Sequence, residues 1–302
     1  MELYDLIIIG AGPAGITASV YAVRKKMKFL VISKDVGGQT LWTNNIENYT
    51  GYLFITGIDL VEKFSQHLDT AGISALTNTE IADVVEDQGT YMVSTSKGQF
   101  NTKSIIIASG RVPRRLGIKG EEVFLNKGVA YCATCDAPLF AGKVVAVVGG
   151  GNAALDAVAQ LLPIATHIHI FDAEPAFRAD PVLIEKARAS GKVTEYHGAA
   201  ITEISGKVLV QGIVYVHQGV VHDLAVEGVF IEAGSLPATG FIQDIEKNET
   251  GEIIVNCACQ TSRRGIFAAG DCTSVPAKQI IIACGEGAKA AISAFNYCTT
   301  LP

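Results

Sequence analysis

Residues 132–136 read CATCD, two cysteines separated by two residues and followed at once by an acid. A CxxC can close a small disulfide and lower the pKa of one of its thiols, which is the chemistry of a redox dithiol. Asp136, next to Cys135, is placed to donate or accept the proton that thiol–disulfide exchange must move. Zinc is a second use of such a pair, but it asks for four ligands, hence a second CxxC or a histidine pair. The other cysteines, Cys257, Cys259, Cys272, Cys284 and Cys298, form no second CxxC, and the six histidines do not cluster, so no metal is expected. A pair of inert buried thiols is the third reading. Cys257 and Cys259 lie in IIVNCACQT, a strand-like stretch in which i and i+2 share a face, so they are expected to pack as ordinary thiols.

A dithiol needs a source of electrons, and the flanking elements supply one. LYDLIIIGAGPAG (3–15) is a buried-type strand running into Gly10, Gly12 and Gly15, with the helix-compatible ITASVYAVRKK after it. In that context Gly10 allows the tight turn, Gly12 lets backbone approach a pyrophosphate, and Gly15 lets helix and strand pack closely. The helix start then offers amides and positive dipole to the phosphates. KVVAVVGGGNAALDAVAQLL (143–162) repeats the unit with Gly149 and Gly151, and with Ala154 in the third place. Each motif leads to a second strand, FLVIS and HIHIF, and the strand ends fall at the same offset, 23 residues from Gly10 to Ser33 and from Gly149 to Asp172. Two dinucleotide folds in one chain suggest one tightly held and one exchanging dinucleotide, a flavin with a nicotinamide.

The 302 residues suit two domains, and 49% apolar content allows two substantial cores. A net charge of −6 with scattered Lys and Arg argues against a nucleic-acid surface. No apolar run approaches the roughly 20 residues of a membrane span, and the start of the chain lacks a signal-peptide pattern. A reducing cytoplasm is the expected location. Late in the chain RRGIFAAGDCTSV ends a short strand in Gly270-Asp271, where Asp271 is placed either to bind a flavin's sugar-alcohol chain or to cap the next helix. The expected fold is α/β, with two Rossmann-like dinucleotide-binding domains, the second inserted into the first: residues 1–112 with 242–302, and 113–241 carrying the CxxC. The Gly/Pro-bearing segments 110–117 and 233–240 are the expected crossings.

Taken together, GAGPAG, IENY, CATCD, GGGNAA and AAGDC, in this order over the whole length, resemble the low-molecular-weight thioredoxin reductase family. CDAPLFAGK, FDAEPAFRAD and AAGDCTSVPAKQIIIACGEGAKAAISAF are closer still to the reductase core of the alkyl hydroperoxide reductase flavoproteins. The resemblance implies FAD on the discontinuous domain, with contacts at Gly10, Gly12, Ala14, Gly15, Gly38, Gln39, Asn48, Asp271, Gln279 and Ile280. It implies a nicotinamide on the inserted domain, at Gly149, Gly151, Asn152, Ala153 and Asp172. It implies that Cys135 is the flavin-proximal thiol, that Cys132 attacks the partner's disulfide and that Asp136 is the acid/base. A homodimer and a thioredoxin- or glutaredoxin-like partner are also implied. The peroxide-linked flavoproteins carry an N-terminal thioredoxin-like module, and no such module precedes Leu3 here, so electrons are expected to leave to a separate protein. Two local departures stand out: Ala137 replaces the family's glycine after CxxCD, and Ser33, not an acid, ends the second FAD strand.

The donor is read from HIHIFDAEPAFRAD (167–180). NADPH-using thioredoxin reductases place an arginine doublet here to clamp the 2′-phosphate. Aligned on FRA, that doublet falls at Ala173 and Glu174, while Asp172 would repel a phosphate and accept bonds from a free ribose hydroxyl. NADH is therefore the expected donor. Ferredoxin or another non-nicotinamide donor is the alternative, against which GGGNAA stands intact. A non-catalytic redox or nucleotide sensor is the reading from a different class. Because dithiol and nicotinamide site share one domain yet each must reach the flavin, that domain is expected to swing on its two crossings.

Overall fold

The computed structural model describes residues 2–42 and 46–301, without the side chains of Trp42 and Cys135. The chain divides into two compact units, Met1–Val112 with Leu236–Pro302, and Pro113–Ser235. Residues 236–241, expected with the inserted domain, belong instead to the outer unit. There Ala238 N donates to Gly110 O at 3.0 Å and Thr239 Oγ1 to Gly251 O at 2.8 Å, which ties the returning chain to outer-unit backbone. The crossing segments Arg111–Pro113 and Ser235–Pro237 form a two-stranded sheet of their own.

In the outer unit the first strand, Leu3–Ala11, is the centre of the sheet. Its unbroken LIII run suits a parallel strand covered on both faces. It pairs in parallel with Phe29–Val36 on one side and Gly98–Ile107 on the other. Ala75–Leu76 and Ile266–Ala268 extend the parallel set. Thr90–Thr95 adds antiparallel to the first half of Gly98–Ile107, and Ile81–Asp87 adds antiparallel to Thr90–Thr95, completing seven strands. Side chains alternate across this sheet. Leu6 and Ile8 pack under helices Pro13–Arg24 and Ile280–Thr299, while Ile7 and Ile9 join Ile105, Ile107 and Ile266 on the opposite face. Truncating one such fully buried side chain to alanine costs about 2–5 kcal/mol. The two helices are in backbone contact, since a Cβ on Gly287 would lie 2.0 Å from Ala14 O.

The inserted unit repeats the plan. Val144–Val148 is flanked by His167–Asp172 and then Val193–His197 on one side, and by Gly228–Ile231 and then Val129–Ala130 on the other, all in parallel. Val145 and Val147 face helix Asn152–Leu161. Ala146 and Phe171 face the three-stranded antiparallel sheet of Ala199–Gly206, Val210–His217 and Val220–Leu224. Both units are thus Rossmann-like α/β folds, one interrupting the other in sequence. Among the described residues no helix is long and apolar enough to cross a membrane.

Candidate functional site

The two glycine turns have the same internal geometry. Gly10 (φ +107°) and Gly149 (φ +135°) take a conformation closed to other residues, and each faces a carbonyl. A Cβ there would lie 2.2 Å from Ala108 O and 2.3 Å from Glu232 O respectively. Gly15 is forced by packing, because its Cβ would stand 1.8 Å from Gly10 O. Ala154, in the corresponding place of the second turn, is tolerated as a buried methyl. Gly12 and Gly151 are the N-caps of helices Pro13–Arg24 and Asn152–Leu161, with extended backbone and no side-chain cap. An added Cβ at either meets nothing within 4 Å. These two glycines are not required by the fold around them, and the space in front of each helix start fits a pyrophosphate held by backbone amides.

Two of the expected flavin positions lie beside the first turn, and others are joined to one another or to the crossing strand. A Cβ on Gly38 would come within 3.6 Å of Gly12 Cα, and one on Gly270 within 3.1 Å of Ala14 Cβ. Asn48 Nδ2 donates to Gln279 Oε1 at 2.9 Å, joining two segments far apart in sequence, and Gln279 is the N-cap of the helix that begins at Ile280. Gln39 Nε2 donates to Arg111 O at 2.7 Å. That helix start has no side-chain cap, so Asp271 is not its cap. Burial raises the Asp271 carboxyl, with Lys278 and Arg111 opposing. Ser33 stands in the place of the acid that often ends this strand, and its Oγ accepts from Ala11 N at 3.1 Å, so it braces the glycine turn.

Three supporting residues escaped the sequence reading. Glu286 is buried at 4% exposure and accepts from Gly270 N at 2.7 Å, which fixes the loop that presents Asp271. Arg111 pairs with Glu252 at 2.8 Å and also donates to Asp271 O. Lys278 bonds Glu252 and the backbone of the Asp271 loop. An acid on the small-residue face ACGEGAKAA was the one visible signal for Glu286.

At the end of His167–Asp172 the strand-end acid is 3% exposed. Asp172 Oδ1 accepts from Glu174 N at 3.2 Å, whereas Oδ2 is buried without a partner among the described residues. Gly150 crosses directly over it, since a Cβ there would lie 1.6 Å from Oδ2. The carboxylate thus supports the second glycine turn from below, with Oδ2 enclosed beneath Gly150. Ala173 and Glu174 are exposed, and Glu174 O receives Gly198 N at 2.9 Å. Arg178 N donates to Gly150 O at 2.7 Å. Asn152, an expected nicotinamide contact, exchanges two hydrogen bonds with Asp180 at 2.8 and 3.2 Å, and Ala153 beside it is exposed.

Cys132 is disulfide-bonded, and Cys257, Cys259, Cys272, Cys284 and Cys298 are free. The side chain of Cys135 lies outside the described residues. Cys132 immediately precedes the short helix Ala133–Asp136, and Asp136 N donates to Cys132 O at 3.1 Å. Burial raises the Asp136 carboxyl, the direction that suits an acid/base. The segment before the dithiol is anchored by Glu121, 2% exposed, which receives Leu116 N at 2.9 Å, Gly117 N at 2.7 Å and the Tyr131 hydroxyl. Burial pushes Glu121 up, but these donors outweigh it and hold the carboxyl below its usual range.

The 257–259 stretch is not the expected strand. Asn256 Oδ1 accepts from Ala258 N and Gln260 N, both at 3.0 Å, and closes a turn in which Cys259 takes φ +60°. Cys257 is exposed and Cys259 buried, so the two thiols do not share a packed face. Cys272 is fully buried, with its Sγ against Ile107 O and Ala269 O, and has no access to chemistry.

Residues 4–289 match the family model for pyridine nucleotide-disulphide oxidoreductases. An alkyl hydroperoxide reductase component from Escherichia coli (strain K12) is 38% identical over 98% of this chain and 58% of its own length. The chain therefore spans about three fifths of the curated relatives it matches. The thioredoxin reductase of Lactococcus lactis is 34% identical, with 99% of this chain and 100% of that one superposed at a TM-score of 0.92. A ferredoxin-flavin thioredoxin reductase of Clostridium acetobutylicum is 32% identical over 99% of this chain and 98% of its own, with a TM-score of 0.56.

Proposed function

This chain belongs to the pyridine nucleotide-disulphide oxidoreductases, and on that premise we propose that it is a flavin-dependent disulfide reductase of thioredoxin-reductase type. Electrons pass from NADH through FAD and the Cys132–Cys135 pair to a thioredoxin- or glutaredoxin-like protein. The observation that carries this reading is a disulfide-bonded Cys132, followed by a raised Asp136, on the same unit as a glycine turn whose Gly151 faces open space.

FAD is assigned to the outer unit, where Gly10, Gly12, Ala14, Gly15, Gly38, Gln39, Asn48, Asp271, Gln279 and Ile280 would hold it. Bound there, the flavin supplies two-electron chemistry between a hydride donor and a disulfide. The protein's own part is to present amides to the pyrophosphate, to fix Asp271 through Glu286, and to move protons at the dithiol. In the exchange with a partner disulfide, one thiol loses its proton and its sulfur bonds one partner sulfur. The other partner sulfur leaves as a thiolate and takes up a proton, with Asp136 as the nearest carrier. NADH is assigned over NADPH because the doublet positions hold Ala173 and Glu174, while Asp172 puts an acid under the turn, against a 2′-phosphate.

A second reading keeps the reductase and changes its donor to ferredoxin, as the likeness to the clostridial enzyme suggests. Anaerobic mixing of the flavin-loaded protein with NADH, NADPH or reduced ferredoxin, followed by flavin absorbance, decides between them. NADH is expected to bleach the flavin fastest. An oxidised flavin after NADH and a bleached one after ferredoxin would overturn the donor assignment.

A further inference from the structure

Arg111 opens the outgoing crossing strand Arg111–Pro113, which pairs with the returning strand Ser235–Pro237. Its carbonyl accepts from Gln39 Nε2 at 2.7 Å, and its guanidinium reaches Glu252 Oε1 at 2.8 Å and Asp271 O at 3.4 Å. Gln39 and Asp271 are two of the assigned flavin contacts, so one crossing residue holds both. The returning strand is tied to the same place. Ala238 N donates to Gly110 O at 3.0 Å, and Thr239 Oγ1 donates to Gly251 O at 2.8 Å, one residue before Glu252. One residue after Glu252, Ile253 N donates to Cys272 O at 2.9 Å, and Ser274 N donates back to Ile253 O at 2.8 Å. Those two bonds stitch the turn at residues 248–252 to the loop that carries Asp271. Both crossings therefore meet the flavin loop through one short turn.

We propose that Arg111 is a positioning residue that couples the flavin site to the crossing strands, so that bound FAD holds the crossing pair closed and opening of that pair loosens FAD. This rests on the flavin assignment above. Gln39, Arg111, Glu252 and Asp271 all belong to the outer unit, and each is joined to Arg111 by a direct hydrogen bond. The Arg111 and Glu252 side chains are only 16% and 15% exposed, so water and salt screen their ion pair little. A ligand that fixes Gln39 and Asp271 fixes the groups on which Arg111 rests. By linkage, whatever stability the crossing gains from FAD, FAD gains from the crossing. Removing the guanidinium does not orphan Glu252, whose Oε1 keeps Lys278 at 3.1 Å and whose Oε2 keeps Asn248 at 2.8 Å. R111Q therefore cuts the connection without unpairing a carboxylate.

The test is amide hydrogen exchange on the full chain, loaded with FAD and stripped of it. It is read at Ala238 and Arg114, whose amides carry the crossing's bonds to Gly110 O and Gly234 O. The hairpin Ile81–Asp87 with Thr90–Thr95 is the reference for any general stabilisation by the ligand. Beyond that reference, FAD should slow both amides about tenfold in the parent, a coupling of ordinary size. In R111Q the extra slowing should fall below about twofold, and the FAD dissociation constant, read by flavin fluorescence, should rise by about tenfold. R115Q, which breaks the exposed pair with Glu122, is the control and should leave both readings at the parent's values. Equal extra slowing in R111Q and the parent overturns the proposal. Should R111Q not fold, the parent decides alone, since no slowing at Ala238 and Arg114 beyond the hairpin overturns it as well. A stripped protein that takes up no FAD would sink the functional reading, whereas uptake without the extra slowing would sink only the coupling.

Discussion

Asp172→Asn changes one atom type in a side chain that the fold otherwise holds still. The carboxylate is 3% exposed, lies under Gly150 and uses Oδ1 on Glu174 N, so an isosteric amide keeps the packing and that hydrogen bond. What is lost is the charged acceptor that the NADH reading assigns to the ribose. A hydrogen bond to a charged group contributes about 1.5–3 kcal/mol, which at about 1.4 kcal/mol per decade is roughly a ten- to hundredfold loss of NADH affinity. NADPH should gain, because the group that repels its 2′-phosphate is gone. The nicotinamide-free protein should melt no lower, and higher if the unpaired oxygen costs stability, since burying an unsatisfied charged atom is unfavourable. The assay is anaerobic flavin reduction at varied NADH and NADPH, with thermal melting alongside. A KM for NADH within about twofold of the parent, at unchanged kcat, would refute the assignment of Asp172 to the ribose.

Gly12→Ala and Gly15→Ala should part company. The first meets no atom within 4 Å and should fold but lose flavin, while the second drives a methyl to 1.8 Å from Gly10 O and should destabilise the outer unit by about 3 kcal/mol or more. Flavin content and melting temperature read both, and full flavin retention by G12A would remove the argument for a ligand there. His169 is lowered to about 4 by burial, with His167 beside it. The unfolded chain binds that proton near 6.5, so the inserted unit should lose stability as the pH falls from about 6.5 towards 4. H169Q should remove that part of the loss, and identical melting-versus-pH curves for the two proteins would contradict it. A cross-link that locks the inserted unit against the outer one should stop full turnover while leaving one half-reaction intact, and undiminished turnover would exclude the swing.

Legibility in the sequence followed the range of the interactions. The doubled strand–glycine–helix unit was readable because a strand, a turn and a helix start are local, and because Gly10 and Gly149 face carbonyls for the same steric reason. CATCD was readable because its chemistry sits within five residues. Ser33 was noticed only as a missing acid, since its bond to Ala11 N exists only once the first two strands are side by side. Glu286 and Glu252 were invisible for a related reason. Each is an acid in an ordinary local context, made special by a backbone amide or a guanidinium carried to it from distant sequence. The reading of 257–259 failed on periodicity, because Asn256 turns the backbone where alternation suggested a strand.

The paired segments Arg111–Pro113 and Ser235–Pro237 bring the entry and exit of the interruption next to each other, with Arg114 N donating to Gly234 O at 2.9 Å. Two chain ends that already lie side by side can be rejoined by a tight turn at little entropic cost. The molecule is therefore modular in a practical sense. Residues 113–235 are a natural cassette for excision or exchange between related chains, and the remaining polypeptide can be sealed into a smaller one without spanning a gap. On the proposed function, donor preference and dithiol travel together in that cassette, so a swap should transplant both at once.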